Sequence, residues 1–451
     1  MRRFIIPILL AGAGFALAGK LVPAEQTAVN EHLASFPDAD VWTHQLRPAV
    51  LTGICMIPAV AALFYCLGGT IARYVTRQFL ALLAVTFGGL AVIWLLVDFQ
   101  DNLEEMKASQ DVANTALRLY AARLPELTVT LLPYALLLSL LFCLGRLSSS
   151  REIVAMIQSG RGLARLTFPF MLAGLLSAFL CAGLNYHWAP RANAAEKKIL
   201  DTARGLDETA AEVVMFRNPR KPRLWMVGSF PPDYQKGAPL KRVRVVRETP
   251  DSKLKSVLIA RTASWSPSTG AWSFEDATVR DVPEGDPQPP PLYRTDLPNP
   301  YVVKTWRETP AEIIQPGLPA NQLGIPDLAG WLASNEGRKP STKAPYLTQW
   351  HHRFAQPFNC LIVVLLATPL GVVFSRRGTS GGVAIAVFLA AGLLFLTTFC
   401  LSLGDAGHLQ PVIAAWLPNL VFGILALYLF RRRLAGRPIY QTIRRLIPNE
   451  A

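Results

Sequence analysis

Long apolar runs alternate with short polar segments along most of the chain. An α-helix needs about 17–25 predominantly apolar residues to cross a bilayer, and several runs meet or approach that length. The sequence therefore predicts an α-helical polytopic membrane protein. We predict membrane spans at Ala49–Gly69, Phe79–Val97, Leu127–Gly145, Leu166–Tyr186, Phe358–Phe374, Val383–Leu403 and Pro411–Phe430.

An earlier and shorter apolar run, Phe4–Ala18, follows two arginines. A positively charged start followed by a short apolar run is also typical of a secretory signal peptide. No small-residue cleavage site leads into a soluble domain here, and another predicted span follows soon after. We therefore expect an uncleaved first span, with a cleaved signal peptide as the alternative.

The pattern changes between His187 and Pro345. Short segments rich in Val, Trp, Phe and Thr are separated by Pro, Gly, Asp and Ser, which is typical of antiparallel strands joined by turns. The clearest predicted hairpin is SPSTGAW at 266–272, and PEGDPQPPPL at 283–292 is a proline-rich loop. The sequence predicts one β domain of the sandwich or barrel type, followed by a helix within 324–339 that leads back to the membrane.

The distribution of charge gives this arrangement an orientation. Only 17% of the 451 residues are charged, against about 25% in an average soluble protein. The net charge of +14 is concentrated in alternate short loops, as in cytoplasmic loops of membrane proteins, so we place both termini in the cytoplasm and the β domain outside. The basic residues are Arg2, Arg3, Arg73, Arg77, Arg146, Arg151, Arg161, Arg165, Arg376, Arg377, Arg431, Arg432, Arg433, Arg437, Arg444 and Arg445, and the opposite loops contain Glu25, Glu31, Asp38, Asp40 and Asp405.

Motifs for catalysis, metal binding or nucleotide binding are weak or absent in the sequence. GTSGG at 378–382 has the spacing of a nucleophile elbow but lacks the strand that should precede it. His351 and His352 have no Cys, Asp or Glu at ligand spacing nearby, and the chain contains no P-loop. Glu126 is the main ionisable residue in a predicted span, whereas a proton or sodium relay needs several. We predict no enzyme activity, no metal site and no cofactor.

The polar segment SSSREIVAMIQSGRG, residues 148–162, lies between two predicted spans. One of its first three serines is expected to cap a helix whose first turn contains Glu152, and Gly160 is expected to end that helix. The pattern predicts a short amphipathic helix at the cytoplasmic surface. Such a helix either lies on lipid headgroups or docks a soluble motor protein, and the residues alone leave both interpretations open. The residues expected on its apolar face are Ile153, Met156 and Ile157.

Several segments in order resemble the lipopolysaccharide-export permease family LptF/LptG, over roughly Arg73 to Arg433. They begin with ARYVTRQFLALLAVTF and LLVDFQDNLEE, and LPELTVTLLPYALLLSLLFCLGRLSSSREIVAMIQSGRGLARL is the most specific. ARTASWSPSTGAWSFEDATVRDV, ETPAEI, HHRFAQPFNCLIVVLLATPLGVVFSRRG and AAWLPNLVF follow. The coupling helix of this family occupies the position of 148–162, so the resemblance favours the docking interpretation. The coupling residues that it implies are Arg151, Glu152, Met156 and Gly160.

The resemblance implies a permease subunit with six core spans and a periplasmic β-jellyroll between the third and the fourth. Two such permease subunits enclose a lipid cavity in this family. A cytoplasmic ABC ATPase dimer drives lipopolysaccharide from the inner membrane into the jellyroll, and a periplasmic bridge of LptC or LptA type receives it. The expected partners are therefore these proteins and lipopolysaccharide, and nucleic acid is not among them.

On this interpretation the chain has an additional two-span region before the family pattern, to which we assign no role. Basic residues that meet lipid phosphates in some members are missing at the outer end of the LLVDF span, where Lys107 is the nearest candidate. The other lipid-path candidates are Trp225, Trp265, Trp272 and Phe274, for each of which plain core packing is the alternative. The expected regions are the additional spans at 1–70, a first transmembrane half at 71–186, the β domain at 187–345, a second half at 346–433 and a basic cytoplasmic tail at 434–451.

Two other classes of protein stay open from the sequence. One is a membrane scaffold whose β domain binds a partner, and the other is a lipid-modifying membrane enzyme. Co-purification with an ATPase would separate an exporter from a scaffold. An enzyme needs a catalytic His, Asp or Ser constellation at one membrane face, and no such constellation can be assembled from this sequence.

Overall fold

The protein is described from a computed structural model. The structure describes residues 4–435 with gaps at 36–40, 110, 161, 205–210, 218–221, 232–233, 235–236, 250–253, 267–268, 283–291, 307, 315–318, 336–338 and 373–379. The predicted cytoplasmic tail beyond 435, almost all of the proline-rich loop and several of the basic residues used for the orientation lie outside the described residues. Those basic residues are Arg2, Arg3, Arg161, Arg376, Arg377, Arg437, Arg444 and Arg445.

Most of the described chain is helical. The helices before the β domain are α1 (Ile5–Ser35), α2 (Val41–Gln45), α3 (Arg47–Leu67), α4 (Thr70–Lys107), α5 (Val112–Ser149), α6 (Glu152–Gln158), α7 (Leu163–Tyr186) and α8 (Trp188–Ala203). Those after it are α9 (Pro310–Ile314), α10 (Ile325–Ser334), α11 (Pro340–Ala355), α12 (Phe358–Gly371), α13 (Ser380–Asp405) and α14 (Pro411–Leu434). Within the described residues, seven helices are long and apolar enough to cross a membrane, which confirms the predicted polytopic class.

The predicted span Phe358–Phe374 differs from the structure. Helix α12 contains only 14 residues, and α11 precedes it with a bend of 49° between the two, the geometry of a broken span or a re-entrant loop. Pro357 stands at the break and has no amide hydrogen with which to continue a regular ladder. The hydropathy pattern missed α11 because Gln349 and Arg353, which are buried in the structure, make that helix look polar.

Two other helices extend well beyond the predicted spans. Helix α1 continues to Ser35, past Pro23, and α5 begins at Val112, before Pro125. Hydropathy detects only the part of a helix that lies in the hydrocarbon region, whereas good helix-forming residues continue the hydrogen-bond ladder on either side. The helix predicted within 324–339 is present as α10.

The inserted segment forms one antiparallel sheet of eight strands, which confirms the predicted β domain. The strand order is β1-β2-β3-β4-β5-β8, and β6 pairs with both β4 and β7. The predicted hairpin is present, because Trp265 is paired with Trp272 across the β4–β5 turn. The strands are β1 (Ala211–Arg217), β2 (Arg223–Phe230), β3 (Leu240–Glu248), β4 (Leu254–Ser266), β5 (Ala271–Glu275), β6 (Thr278–Asp281), β7 (Leu292–Arg294) and β8 (Tyr301–Val303).

The protein has separate cores in the membrane region and in the β domain. In the membrane region α5 is central, packs against α4, α7 and α12, and buries Leu136, Leu140 and Leu144 completely. A helix that is enclosed by others needs no polar stripe, so its membrane part is apolar all round. In the β domain one face of the sheet is buried, and Ile313 and Ile314 of α9 pack against it.

Candidate functional site

The polar segment between α5 and α7 folds into α6, a helix of seven residues. The predicted serine cap is wrong, because Arg151 occupies the N-cap position of α6 without a side-chain cap, and Ser149 Oγ donates back to the carbonyl of Arg146 at 2.8 Å. Arg151 stands between the two helices with a left-handed φ of 57°. This backbone conformation is uncommon for a residue other than glycine, and here it separates α5 from α6.

The apolar face of α6 is packed against the membrane helices. Ile153 is 1% exposed and Met156 is 9% exposed, and both belong to the cluster built around α5 and α12. The outward face carries Arg151, Val154 and Gln158, which are exposed. The two most buried apolar residues of α6, Ile153 and Met156, are thus covered by protein and anchor the helix to the membrane core.

Glu152 is held at the start of α6 by two neighbours. Its Oε2 accepts a hydrogen bond from Tyr74 Oη at 2.9 Å, and its Oε1 accepts one from Ser150 Oγ at 2.9 Å. Tyr74 lies in the first turns of α4, so the carboxylate joins α6 to a second membrane helix. Sequence reasoning missed Tyr74, although it lies within the ARYVTRQ segment.

The glycines after α6 allow the chain to turn into α7. Gly160 has a φ of +84°, a conformation that favours glycine, and its amide donates to the carbonyl of Ile157 at 3.0 Å. Gly162 then precedes the first residue of α7 in an extended conformation. The segment therefore joins two membrane helices through very few residues.

The four aromatic candidates of the β domain lie together in its interior. Trp225, Trp272 and Phe274 are 0% exposed, and Trp265 is partly buried beside them. The ring centroids of Trp225 and Trp272 are 4.8 Å apart, and those of Trp265 and Trp272 are 5.3 Å apart. Sequence reasoning missed a fifth ring, Trp306, whose centroid lies 5.4 Å from that of Trp225.

A polar contact closes one side of this aromatic cluster. Trp272 Nε1 donates to the carbonyl of Glu308 at 2.7 Å, and the Glu308 carboxylate pairs with Arg223 at 2.7 Å. The guanidinium of Arg223 also lies 5.3 Å from the centre of the Trp306 ring. Both charges are largely buried, which requires such pairing. The rings thus fill the interior of the sheet as a packed core with Trp265 at its edge.

Lys107 is exposed at the end of α4, and the main cation of this outer region is Arg123 of α5. Arg123 Nη1 binds Asp98 at 2.6 Å and Glu196 at 2.8 Å, and its Nε lies 3.8 Å from Glu126. Burial raises the pKa of Glu196 although Arg123 opposes this shift. The ionisable residue noted in the sequence, Glu126, is therefore part of a structural ion cluster.

Two adjoining cavities have volumes of about 220 and 200 Å³. The first lies between α5, α11, α12 and α13, and the second lies between α5, α7, α8, α11 and α13. The first is lined mainly by apolar residues such as Val363, Leu393 and Leu394, and the second contains polar groups such as Asn185 and Arg353. An apolar cavity therefore adjoins a polar one. Sequence reasoning missed this pair because the polar residues of α11 had no predicted position.

His352 is among the residues shared by the two cavities, and its Nδ1 is buried without a hydrogen-bond partner. Shared residues join the two cavities into one continuous lining. Across the described residues, no three His, Cys, Asp or Glu side chains are grouped as metal ligands. The remaining shared residues are Val129, Thr130, Gln356 and Leu401.

Seven helices long enough to cross a membrane and an inserted β domain place the described residues in the class of polytopic membrane proteins. Residues 73–432 match the family described as lipopolysaccharide export system permease LptF/LptG. The chain belongs to this family, which confirms the resemblance noted in the sequence. The family comprises transport permeases of the inner membrane, and the helices α1 to α3 precede the matched residues.

The relatives agree with the family match. They include the proteins named lipopolysaccharide export system permease protein LptF from Escherichia coli strain K12, Escherichia coli O157:H7 and Shigella flexneri. Each is 24% identical to this chain over 367 residues, which are 80% of this chain and 94% of the relative.

Proposed function

We propose that this chain is the membrane-spanning subunit of an ATP-driven exporter that extracts lipopolysaccharide from the inner membrane. ATP is hydrolysed on a separate cytoplasmic ABC ATPase dimer. A second permease subunit of the LptF/LptG type completes the lipid cavity. The lipid then passes through the β domain to a periplasmic bridge protein of LptC or LptA type. The family match and the names of the relatives support this assignment.

The structure of α6 is the observation that carries the ATPase step. Its apolar residues are anchored in the membrane core, and its polar face, with Arg151 and Gln158, is free to meet a soluble partner. Glu152 lies at the base of this face. A force on α6 is passed to α5 and α7 because both are joined to it directly, and to α4 through Tyr74. These connections support docking over a helix that rests on headgroups.

The orientation follows from the ends of the helices. Arg73 and Arg77 begin α4, Arg146 ends α5, and three arginines end α14. Asp405 stands at the opposite end of α13. We place the arginine-rich ends and both termini in the cytoplasm and the β domain in the periplasm. We also retain, as a proposal, the five regions bounded at 70, 186, 345 and 433.

The lipid path combines the adjoining cavities with the interior of the β domain. The apolar cavity suits acyl chains, while Arg353 in the polar cavity offers a cation for phosphate. The aromatic cluster lies at the end of this path, and Trp265, at its edge, is the residue best placed to touch an acyl chain without unpacking the core.

The test is purification of the chain from detergent-solubilised membranes, with identification of bound proteins and lipids by mass spectrometry. We expect a nucleotide-hydrolysing subunit and lipopolysaccharide in stoichiometric amounts. Reconstituted in proteoliposomes, the complex should release lipopolysaccharide only when ATP is added.

Recovery of other periplasmic proteins without an ATPase would overturn the exporter assignment in favour of a scaffold. Chemical alteration of the lipid by the purified chain would overturn it in favour of an enzyme. Binding of an ATPase without ATP-dependent release would refute the transport step while retaining the docking role of α6.

A further inference from the structure

The helices that precede the family match form a unit packed on the outside of the six-span core. Helix α1 packs along α3, and α3 packs on α7. The approach is close at two glycines: an added Cβ at Gly14 would lie 2.6 Å from the carbonyl oxygen of Cys55, and one at Gly183 would lie 2.6 Å from the side chain of Ile54. The contact with α7 is therefore a built interface between helices.

A charged cluster lies at the outer end of this unit. Arg47 begins α3, is 4% exposed and forms an ion pair with Glu25 of α1. Arg191 of α8 binds Asp327 of α10 through two hydrogen bonds of 2.9 and 3.3 Å. His187, at the junction of α7 and α8, is 3% exposed and places its Nδ1 3.9 Å from Asp327.

The ion pairs of this outer charge cluster are mutually dependent. Arg47 lies within electrostatic range of Asp327 and Arg191 as well as Glu25, and His187 lies within range of both arginines. Two arginines balance two carboxylates, so the cluster is neutral when His187 carries no proton. A neutral, paired cluster is the arrangement in which buried ions are tolerated, and removal of one member leaves another unpaired.

Two contacts that involve no charged group also join these segments. Tyr186 Oη donates to the carbonyl of Thr43, between α1 and α3, at 2.7 Å. Gly324 begins α10 directly against the end of α7, since an added Cβ there would lie 2.7 Å from the carbonyl oxygen of Tyr186. Helix α10 follows the β domain in the chain. Its contact with the end of α7 therefore fixes the position of the C-terminal end of that domain.

We infer that α1 to α3 form an internal brace that holds α10, and with it the base of the β domain, in a fixed position on the α7–α8 junction. Arg47 is the positioning residue, because it pairs with Glu25 inside the added unit and lies at the outer end of α3, beside the Arg191–Asp327 pair. The family match begins after this unit, so the brace is an addition to the exporter core. It concerns the geometry of the β domain and is independent of which lipid is carried.

The test measures the distance between two spin labels by double electron–electron resonance in the purified full chain. One label replaces Arg244 on the exposed face of β3, and the other replaces Ala406 in the outer turn between α13 and α14. Cys66 is changed to Ser, because the other five native cysteines are buried. We expect a narrow distance distribution that broadens by several ångströms in Arg47→Ala and on removal of residues 1–69.

Arg261→Ala is the matched control, since it removes an exposed arginine paired with Asp276 on the β domain and should leave the distribution narrow. Arg47→Lys should give an intermediate width. Should Arg47→Ala fail to fold, Glu25→Gln and Tyr186→Phe each remove one contact and should broaden the distribution less. A distribution as narrow as that of the parent chain in all of the folded variants would overturn the brace. ATPase co-purification is expected to persist in each variant, so loss of the brace and failure of the exporter assignment give different results.

Discussion

The hydroxyl of Tyr74 donates a hydrogen bond of 2.9 Å to the carboxylate of Glu152, and this bond joins the first turns of α4 to the short helix between α5 and α7. The residue proposed to meet the ATPase is therefore also a contact within the permease. A substitution at Glu152 removes both the internal hydrogen bond and the charge. The two roles must be separated by changing one partner at a time.

Glu152→Lys should weaken ATPase binding more than Glu152→Ala. Both variants remove the carboxylate that pairs with a basic residue of the ATPase, and the lysine also repels that residue. A charge pair at an interface is worth about 2–5 kcal/mol, which corresponds to more than tenfold in affinity, against under about 1 kcal/mol for an exposed pair. Tyr74→Phe is the matched control, since it removes only the internal hydrogen bond. The measurement is ATPase affinity and ATP-dependent lipid release in proteoliposomes.

A result in which Tyr74→Phe and Glu152→Lys weaken binding equally would assign the effect to the α4–α6 contact. Near-normal binding and export by Glu152→Lys would remove docking from the function of α6 altogether.

Thiols introduced on the two faces of the membrane should differ in their reaction with an impermeant maleimide. Thr269, exposed in the β4–β5 turn, should be labelled from outside intact spheroplasts, and Gln158, exposed on α6, should be labelled only after permeabilisation. The expectation follows from the arginines at the ends of α4, α5 and α14. Labelling in the reverse order would invert the topology and contradict docking by α6.

A photo-crosslinking residue at Trp265 should capture lipopolysaccharide in cells, because this position borders the packed aromatic core without filling it. Ile259, on the opposite face of the same strand and 44% exposed, is the matched control and should capture no lipid. Crosslinks to protein alone at Trp265 would refute a lipid path through the β interior and leave the aromatic residues as core.

The stability of the detergent-solubilised chain should fall as the pH drops below about 6.5. Burial and the nearby Arg191 lower the pKa of His187 well below its usual value, although Asp327 opposes the shift and Arg47 and His44 add to it. The unfolded chain then takes up a proton that the folded chain does not, so the free energy of unfolding decreases in this window, by an amount on the order of 1 kcal/mol per pH unit.

Thermal unfolding at pH 8 and pH 5.5 measures this effect. His187→Gln should show a smaller decrease between the two pH values, whereas His408→Gln, in the exposed outer turn, should behave as the parent chain. An equal decrease in the parent chain and in His187→Gln would assign the pH dependence to other groups.

The sequence predicted those elements that depend on local periodicity and missed those that depend on tertiary contact. The hydrophobic runs, the β4–β5 hairpin and α6 follow from spacing along the chain. The serine cap was wrong because Ser149 donates to the nearby carbonyl of Arg146 and Arg151 takes the N-cap position. The predicted span left out α11 because the polar side chains of that helix are satisfied by distant partners. One such contact is the 3.1 Å hydrogen bond between Arg353 and Asn185, which no linear pattern indicates.

The residues of the candidate site likewise include some that the sequence identifies and some that only the structure reveals. Glu152 could be identified from the sequence, because it is the only carboxylate in a short helical segment between two spans. Tyr74 and Trp306 could not, since the Tyr74–Glu152 and Trp225–Trp306 contacts join residues more than 75 positions apart along the chain. Lys107 was chosen for its charge and its place at a helix end, but the structure concentrates the interactions of that region on Arg123.

Helix α7 runs from the cytoplasmic segment to His187 in 24 residues, a length of about 36 Å at about 1.5 Å per residue. A rod of this length that pivots by about 5° at one end carries its other end through about 3 Å. A displacement of about 3 Å is as long as the 2.7 Å hydrogen bond between Tyr186 and Thr43. A tilt of α7 from its cytoplasmic end would therefore either break this bond or move α3 and α10 together with α7. In the proposed exporter, the added helices would therefore stiffen the outer end of α7 against a tilt that starts at the cytoplasmic end.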